Sequence, residues 1–525
     1  MKNRFYQISF LTALVIGVLG LFATGFLWLY LLVLPLFCLG LYDLNQRKHT
    51  ILRNFPVIGH FRFWLEVIAP EIHQYLIESD LDGRPIPRER RSIVYERAKG
   101  TLDTLPYGTR WNVYQAGYEW INHSMLAKRP TELNPRITVG TEQCSQPYSA
   151  SFLNISAMSY GALSQNAVLA LNQGAKEGNF YHNTGEGGLS PYHLKPGGDI
   201  VWQIGTAYFG CRTPDGKFSA EHFSKRARLP QVKMIELKIS QGAKPGHGGI
   251  LPAVKVTQEI ADIRLVPMGQ DVLSPPTHSA FSTPIEMMHF IAELRELCGG
   301  KPVGFKLCVG SRRDFFAICK AILETNILPD FITVDGGEGG TGAAPLEFSN
   351  AVGTPGRDAL QLVHNALIGI GLRDKIRVIY AGKLITGYHI VSALAHGADM
   401  CNQARAMMLA LGCVQSLKCN TNRCPTGVTT QDPKLMNGLV VTEKYKRVAR
   451  YHEETVKAVM EVIGAAGLTY PWQLKPNHIY RRISGTEALP LDQIYTYLEP
   501  GALLAKPLPE QYAKDWDAAK ASTFV

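Results

Sequence analysis

Between Met400 and Gln431 the chain reads MCNQARAMMLALGCVQSLKCNTNRCPTGVTTQ, and three thiols, Cys413, Cys419 and Cys424, fall there with five and then four residues between them. Two Asn and Pro425, directly after the last thiol, mark the segment as irregular. Soft sulfur ligands converging from an irregular loop suit an iron–sulfur cluster, since helical periodicity would point them apart. Three ordinary buried thiols, or a disulfide plus one spare, have the same composition, and the spacing is not one of the common ferredoxin runs.

Other residues add chemistry. Upstream, the apolar runs RVIYAGKLITG and ADMCNQARA each lead into a helical pattern through small residues, around Gly382 and around Ala404 and Arg405. Consecutive strand-to-helix turns of this kind build a phosphate site from backbone N–H groups, and the Cys loop follows the second of them. The run MIELKIS puts Lys238 on an apolar strand, where an ammonium needs either a carboxylate or the electron-rich edge of a cofactor. The Gly/Pro-rich stretch from Gly242 to Pro276 reads as an active-site loop or as a flexible surface insertion. NTGEGGLSP holds Glu186 between glycines, a position suited to proton transfer, although a solvated turn has the same residues. VDGGEGGTGAAP carries five Gly in eight positions from Gly336 to Ala343, which lets backbone approach a bulky ligand.

Positioning these groups calls for a regular scaffold. From Ser151 short apolar runs alternate with helical stretches: SFLNISAMS, NFYHNT, IVWQIG, MIELKIS, VGFKLCV, FITVDG, RVIYAGK and ADMCNQARA. Eight unbroken apolar strands alternating with helices predict an α/β fold of the (β/α)8 TIM barrel type, because parallel strands are covered on both faces. A doubly wound sheet would carry GxGxxG after its first strand, and MSYGALS lacks that spacing.

The 525 residues, 46% apolar and 19% charged, suffice for one large domain with attachments. The net charge of +10 is scattered along the chain, which biases weakly toward anionic membrane surfaces and acidic small molecules. No basic run is interleaved with aromatics, so nucleic acid is not an expected partner. Ten Cys without a regular framework point to a reducing compartment. From Phe5 to Tyr42 there is no charged residue, a length for a tight transmembrane hairpin turning near Thr24–Gly25 and too long for a signal-peptide core. One long tilted helix is the alternative. Lys2 and Arg4 precede the run and Arg47, Lys48 and Arg53 follow it, which predicts both ends and the catalytic domain on the cytoplasmic side of the cell membrane. FRFWLEVIAPEIHQYLIES reads as an amphipathic helix near the membrane, and GRPIPRERRS as a solvated Arg/Pro loop. The expected division is a transmembrane hairpin over 1–43, a connector packed on the catalytic body over 44–145, the barrel with its Cys loop over 146–435, and a helical appendage over 436–525. Within that appendage, VVTEKYKRVARYHEETVKAVMEVIGAAG is an ordinary helix and the aromatics of PWQLKPNHIYRRIS are packing anchors.

The blocks MSYGALS, NTGEGG, ISQGAKPGHGGILP, SPPTHSAFSTPIE, GGTGAAP and GCVQSLKCNTNRCPTG stand in the order of the synthase domain of glutamate synthase, and residues 145 to 435 resemble that domain. Membrane-attached, single-domain relatives of that synthase are the nearest comparison. The resemblance implies FMN in the barrel mouth and an iron–sulfur cluster on Cys413, Cys419 and Cys424, three-iron rather than four-iron unless a fourth ligand joins. It implies Lys238 by the flavin N1–C2 edge, Gln241 and Lys244 lining ring and substrate, Arg264 on a substrate carboxylate, and Glu186 between ammonia entry and the flavin face. Flavin contacts would come from Met158, Ser159, Gly336, Gly337, Gly339 and Gly340, and the phosphate would sit at Gly382, Lys383, Ala404 and Arg405.

Departures qualify the transfer. The family's amidotransferase segment, with its N-terminal Cys nucleophile, has no counterpart after Met1-Lys2, so glutamine hydrolysis by that route is not expected. His247 stands for a Glu, Ile250 for a substrate-contacting Gln, and Ala381 and Lys383 for an Asp and a Gly. These changes suggest a different acid or a larger amine than ammonia. The expected function is therefore a membrane-anchored FMN and iron–sulfur oxidoreductase. It would reduce the imine of a 2-oxo acid, with 2-oxoglutarate one candidate, and ammonia or an amine, drawing electrons from a ferredoxin-like or membrane donor. The alternatives are FMN-dependent oxidation of a 2-hydroxy or amino acid feeding electrons to the membrane, and a redox sensor binding FMN without turnover.

Overall fold

A computed structural model describes residues 2–101 and 104–524, which form two compact units, Met1–Arg88 and Glu89–Val525. The Lys2 side chain, one of the charges flanking the expected hairpin, lies outside what is described.

In the first unit, α1 (Lys2–Phe22) and α2 (Tyr30–Asn45) are joined by a 3-10 turn, Thr24–Leu29, where the sequence places the reversal. Asn3–Phe22 and Thr24–Asn45 are each long and apolar enough to cross a membrane, and Leu21, Phe22, Trp28 and Phe10 stand exposed on them. The Tyr30 hydroxyl donates to the Ala13 carbonyl at 2.7 Å, tying the two helices. After a short helical turn, Thr50–Asn54, α3 (Ile58–Ile72) contains Pro70 and passes into a π-helical turn, His73–Ile77. Pro70 has no N–H to give the ladder, which accounts for the widened turn.

One expectation changes here. GRPIPRERRS is not loop throughout, because α4 (Arg88–Lys99) begins directly after Pro87. No Gly or Pro follows until Gly100, at φ 69°, and Arg, Glu, Ala and Lys are strong helix formers.

The second unit is built on a closed barrel of eight parallel strands. They are β1 (Leu153–Ile155), β2 (His182–Asn183), β3 (Ile200–Ile204), β4 (Val232–Lys238), β5 (Val303–Leu307), β6 (Phe331–Asp335), β7 (Arg377–Ala381) and β8 (Met400–Gln403), each hydrogen-bonded to the next and β8 to β1. All eight apolar runs supply a strand. Every residue of β3 and β5 is buried, as strands covered on both faces require. Outside the strands, α5 (Gln165–Glu177) packs on α6 (Val441–Ala465). A Cβ at Gly174 would lie 2.7 Å from Val448, so only glycine allows that approach. The tail anchors on the barrel through Tyr512 and Trp516, whose rings meet Phe316 edge-on at 5.9 and 5.5 Å.

The barrel interior holds a polar plug. The buried Glu236 carboxylate accepts from Asn183 at 2.8 Å, Gln203 at 2.6 Å and Thr333 at 2.6 Å, joining four strands below the mouth. A second buried carboxylate, Asp330, accepts from Thr141 N at 2.6 Å, Val303 N at 2.8 Å and the Arg295 guanidinium at 3.0 Å. It clips the segment entering the barrel to two of its strands. Replacing Asp330 by Ala strands the buried Arg295 charge and should cost about 3–5 kcal/mol in chemical denaturation of the purified protein. A loss below about 1 kcal/mol would show that the clip is not structural.

Candidate active site at the barrel mouth

At the carboxyl end of β4, Lys238 turns into the mouth and its Nζ lies 2.8 Å from Glu186 Oε1 in the loop after β2. The carboxylate that the apolar strand demanded is thus Glu186. Burial pushes the Glu186 carboxyl up, but Lys238, Lys244 and Arg264 outweigh it and hold it below the usual range. Glycines make the space: a Cβ at Gly205 would stand 2.7 Å from Glu186 Cβ, and one at Gly249 would meet its carboxylate. Ser274 Oγ donates to Glu186 Oε2 at 3.4 Å. His278 bridges the Lys238 carbonyl at 2.8 Å and the Tyr208 hydroxyl at 3.1 Å, and burial lowers its pKa to about 4, so it is neutral.

Arg264 ends the short helix Gln258–Arg264 and is buried, not on a helix surface. Its Nη2 donates to the Tyr160 carbonyl at 3.0 Å and to Ser159 Oγ at 3.4 Å, its guanidinium lies over Phe209 at 5.1 Å, and its Nε has no hydrogen-bond partner among the described residues. Lys244 Nζ donates to the Ala343 carbonyl at 2.7 Å, linking the loop after β4 to the glycine loop after β6. Burial, partly offset by Glu186, lowers its pKa to about 8.

Beside this group a cleft is lined by Gln241, Lys306, Asp335, Gly339, Gly340, Gly382, Lys383, Ala404 and Arg405, among others. Gln241, Gly339, Gly340, Gly382, Lys383, Ala404 and Arg405 were all singled out in the sequence. Arg405 Nη2 donates to the Glu338 carbonyl at 3.0 Å and its side chain crosses Gly340, where a Cβ would lie 3.0 Å away. Lys383 holds φ 49°, a left-handed conformation that favours glycine. Gly336 and Gly337 are not among the cleft residues: their N–H groups donate to Ala381 and Thr354 carbonyls. Met158 and Ser159 lie in the loop after β1, against Gly185 and Arg264.

Sequence reasoning passed over Lys306, Asp335 and Gln403. Lys306 on the buried β5 stands 3.5 Å from Asp335, and Asp335, Glu236 and Glu186 together raise its pKa against the effect of burial. The signal was the one used for Lys238, a lysine inside an unbroken apolar run. Gln403, also lining the cleft, has a buried Nε2 without a hydrogen-bond partner among the described residues. An unpaired donor, two lysines and a glycine-lined wall fit a planar, carbonyl-rich anion such as a flavin mononucleotide.

The Cys loop follows the helix Arg405–Leu411 and three of its residues, Gln415, Leu417 and Asn422, sit at positive φ of 55°, 56° and 62°. That strain, about 1 kcal/mol or more per residue, is held by tethers. Gln431 Nε2 donates to the Gly161 and Leu163 carbonyls at 3.1 and 2.8 Å, and Tyr95 of α4 donates to the Cys413 carbonyl at 2.7 Å. Burial first, and then Cys419 and Cys424, push the Cys413 thiol up to about 12. Hydrogen bonds from Thr426 and Thr429 outweigh burial and hold Cys424 below the usual range. Among the described residues, no three His, Cys, Asp or Glu side chains converge as a single-ion site.

A closed parallel barrel with an ion pair, buried cations and glycine-rich loops at the carboxyl ends of its strands is the architecture of a TIM-barrel enzyme. Residues 121–469 match the family described as the conserved region in glutamate synthase, and the chain belongs to that family, a glutamate synthase-type oxidoreductase acting on CH–NH2 donors. It is 38% identical over 518 residues to the glutamate synthase large subunit-like protein YerD of Bacillus subtilis, covering 91% of this chain and 96% of that protein. It is 34% identical over 353 residues to the archaeal glutamate synthase (NADPH) of Methanocaldococcus jannaschii, covering 67% of this chain and 64% of that one. A mandelate oxidase structure is 14% identical with a TM-score of 0.41, covering 79% of this chain and 95% of that one, too loose a likeness to bear on the site.

Lys244 is charged below about pH 8 and neutral above it. Affinity for a small carboxylate ligand, read from perturbation of the bound flavin spectrum, should therefore fall as pH rises through about 8, by up to about tenfold per pH unit. Lys244→Arg should flatten the profile, since a guanidinium stays charged. A wild-type profile level to pH 10 would remove Lys244 from carboxylate binding.

Proposed function

We propose that this protein is a membrane-anchored flavin and iron–sulfur oxidoreductase that reduces the imine of a 2-oxo acid and ammonia or a small amine to an amino acid. The observation that carries the reading is the buried Lys238–Glu186 pair at 2.8 Å, with Lys244 and Arg264 both acting on the same carboxylate. Lys244 and Arg264 hold the substrate carboxylates, and the unpaired Arg264 Nε leaves a donor for one of them. Glu186 Oε1 and Oε2 take the proton that the amine loses as it condenses and return one to the substrate nitrogen as the imine is reduced. Lys238 keeps Glu186 ionised between these transfers. FMN bound in the cleft beside them would supply a hydride to the imine carbon, and Arg405 and the Gly382–Lys383 turn would hold its phosphate.

Cys413, Cys419 and Cys424 would hold a three-iron cluster, which would supply single-electron transfer from a ferredoxin-like or membrane donor. A polynuclear cluster takes each thiolate on a different iron, so it does not need single-ion geometry. Three thiols in one loop held irregular by three left-handed residues support this donor set. The exposed apolar surface of α1 and α2 supports a hairpin in the cell membrane with the catalytic unit on the cytoplasmic side.

Prereduced protein, mixed anaerobically with 2-oxo acids with and without ammonia or methylamine, should show flavin reoxidation only when acid and amine are both present. Reoxidation by no acid, with flavin bound, would move the assignment to an outward-feeding oxidase or a sensor. Cys419→Ser should abolish the brown cluster absorbance while the flavin stays bound. Unchanged iron content in that variant would refute the ligand assignment.

A further inference from the structure

Lys255 lies in the excursion between β4 and β5 and is 2% exposed, yet its ammonium has only neutral carbonyls to donate to: Ala162 at 2.9 Å and Cys419 at 3.0 Å. Among the described residues no carboxylate lies within ion-pair distance of it. A buried ammonium without a counter-charge costs several kcal/mol, so a fold that keeps one has a negative charge nearby that the carbonyls do not supply. The groups beside Lys255 that can carry negative charge are Cys419 and Cys424, once they are thiolates, and the remaining charge acting on it, Arg264, is positive. Asn422 Nδ2 donates to the Val254 carbonyl at 3.2 Å, which fixes the same excursion to the Cys loop one residue before Lys255.

We propose that Lys255 is the charge partner of the Cys loop: its ammonium balances the thiolates and the cluster they hold, and raises the cluster's midpoint potential. The proposal rests on the cluster reading above. An added electron makes the cluster more negative, and a buried cation beside two of its ligands favours that reduced state. By hydrogen-bonding Ala162 and the Cys419 carbonyl, Lys255 also ties the loop after β1 to the cluster. It is a positioning residue and touches no substrate.

The test is an anaerobic redox titration of the full-length protein, following the cluster's visible absorbance and electron paramagnetic resonance, for wild type, Lys255→Met and Lys255→Arg. The Met variant should retain its flavin and have a cluster midpoint at least tenfold less favourable for reduction, about 59 mV lower for a one-electron couple. The Arg variant should restore most of that shift. If the Met variant sheds iron while keeping flavin, iron retained in the Arg variant supports the charge role and iron lost from both overturns it. A Met variant with full iron and the wild-type midpoint overturns it, as does an equal shift in both variants. Wild type lacking iron and labile sulfide would instead overturn the cluster reading, before any variant is compared.

Discussion

The buried contact between Lys238 and Glu186 sets the terms for the rest of the barrel mouth. Neither charge is tolerable alone there, and the pair is tolerable only because further charges surround it: Lys244 and Arg264 act on Glu186, while Lys306 and Asp335 balance one another a strand away. The excess is positive, so the mouth is electrically incomplete until an anion enters. A carboxylate substrate and a flavin phosphate are the two anions such a site fits. Gly205 and Gly249 are then steric requirements of the pair, since a side chain at either would displace Glu186.

The same logic extends to the Cys loop. Its left-handed residues are unfavourable locally, and long-range hydrogen bonds from Lys255, Gln431 and Tyr95 hold them in place. Two of those donors come from parts of the chain that carry or adjoin the substrate machinery: Lys255 shares an excursion with Lys244 and Arg264, and Gln431 reaches the loop after β1. The Cys loop and the loops at the barrel mouth are therefore braced against each other.

How much of this could be read from residues alone follows from the range of the interactions. Most of the eight strands were legible because a strand buried on both faces writes itself as a nearly continuous apolar run, whereas β2 and β8 carry polar residues and were placed by their turn in the strand–helix alternation. Glu186 and Lys238 were legible through their setting, a charge in a glycine-rich loop and a charge inside an apolar strand; Lys244 and Arg264 were reached only through the resemblance to the synthase blocks, and the structure gathers all four at one mouth. The Arg88–Lys99 helix was misread because a Pro and several charges suggested a loop, whereas the residues after Pro87 have strong helix propensity. Lys306 carried the same signal as Lys238 without an adjacent glycine motif. Asp330 and Lys255 were illegible: their partners lie as far as 189 and 164 residues away, and no local pattern encodes a contact at that distance.

The central claim is that Glu186 and Lys238 act as one unit in proton handling at the mouth, and a double-mutant cycle on Glu186→Gln and Lys238→Met tests it most directly. The rate of anaerobic flavin reoxidation by acid plus amine would be followed in wild type, both single variants and the double variant. Each single substitution should slow the reaction by roughly 10²-fold or more, about 2.7 kcal/mol, and the double should be little slower than the worse single, as for residues acting together. Losses that simply add in free energy would contradict the account, because the two side chains would then contribute independently.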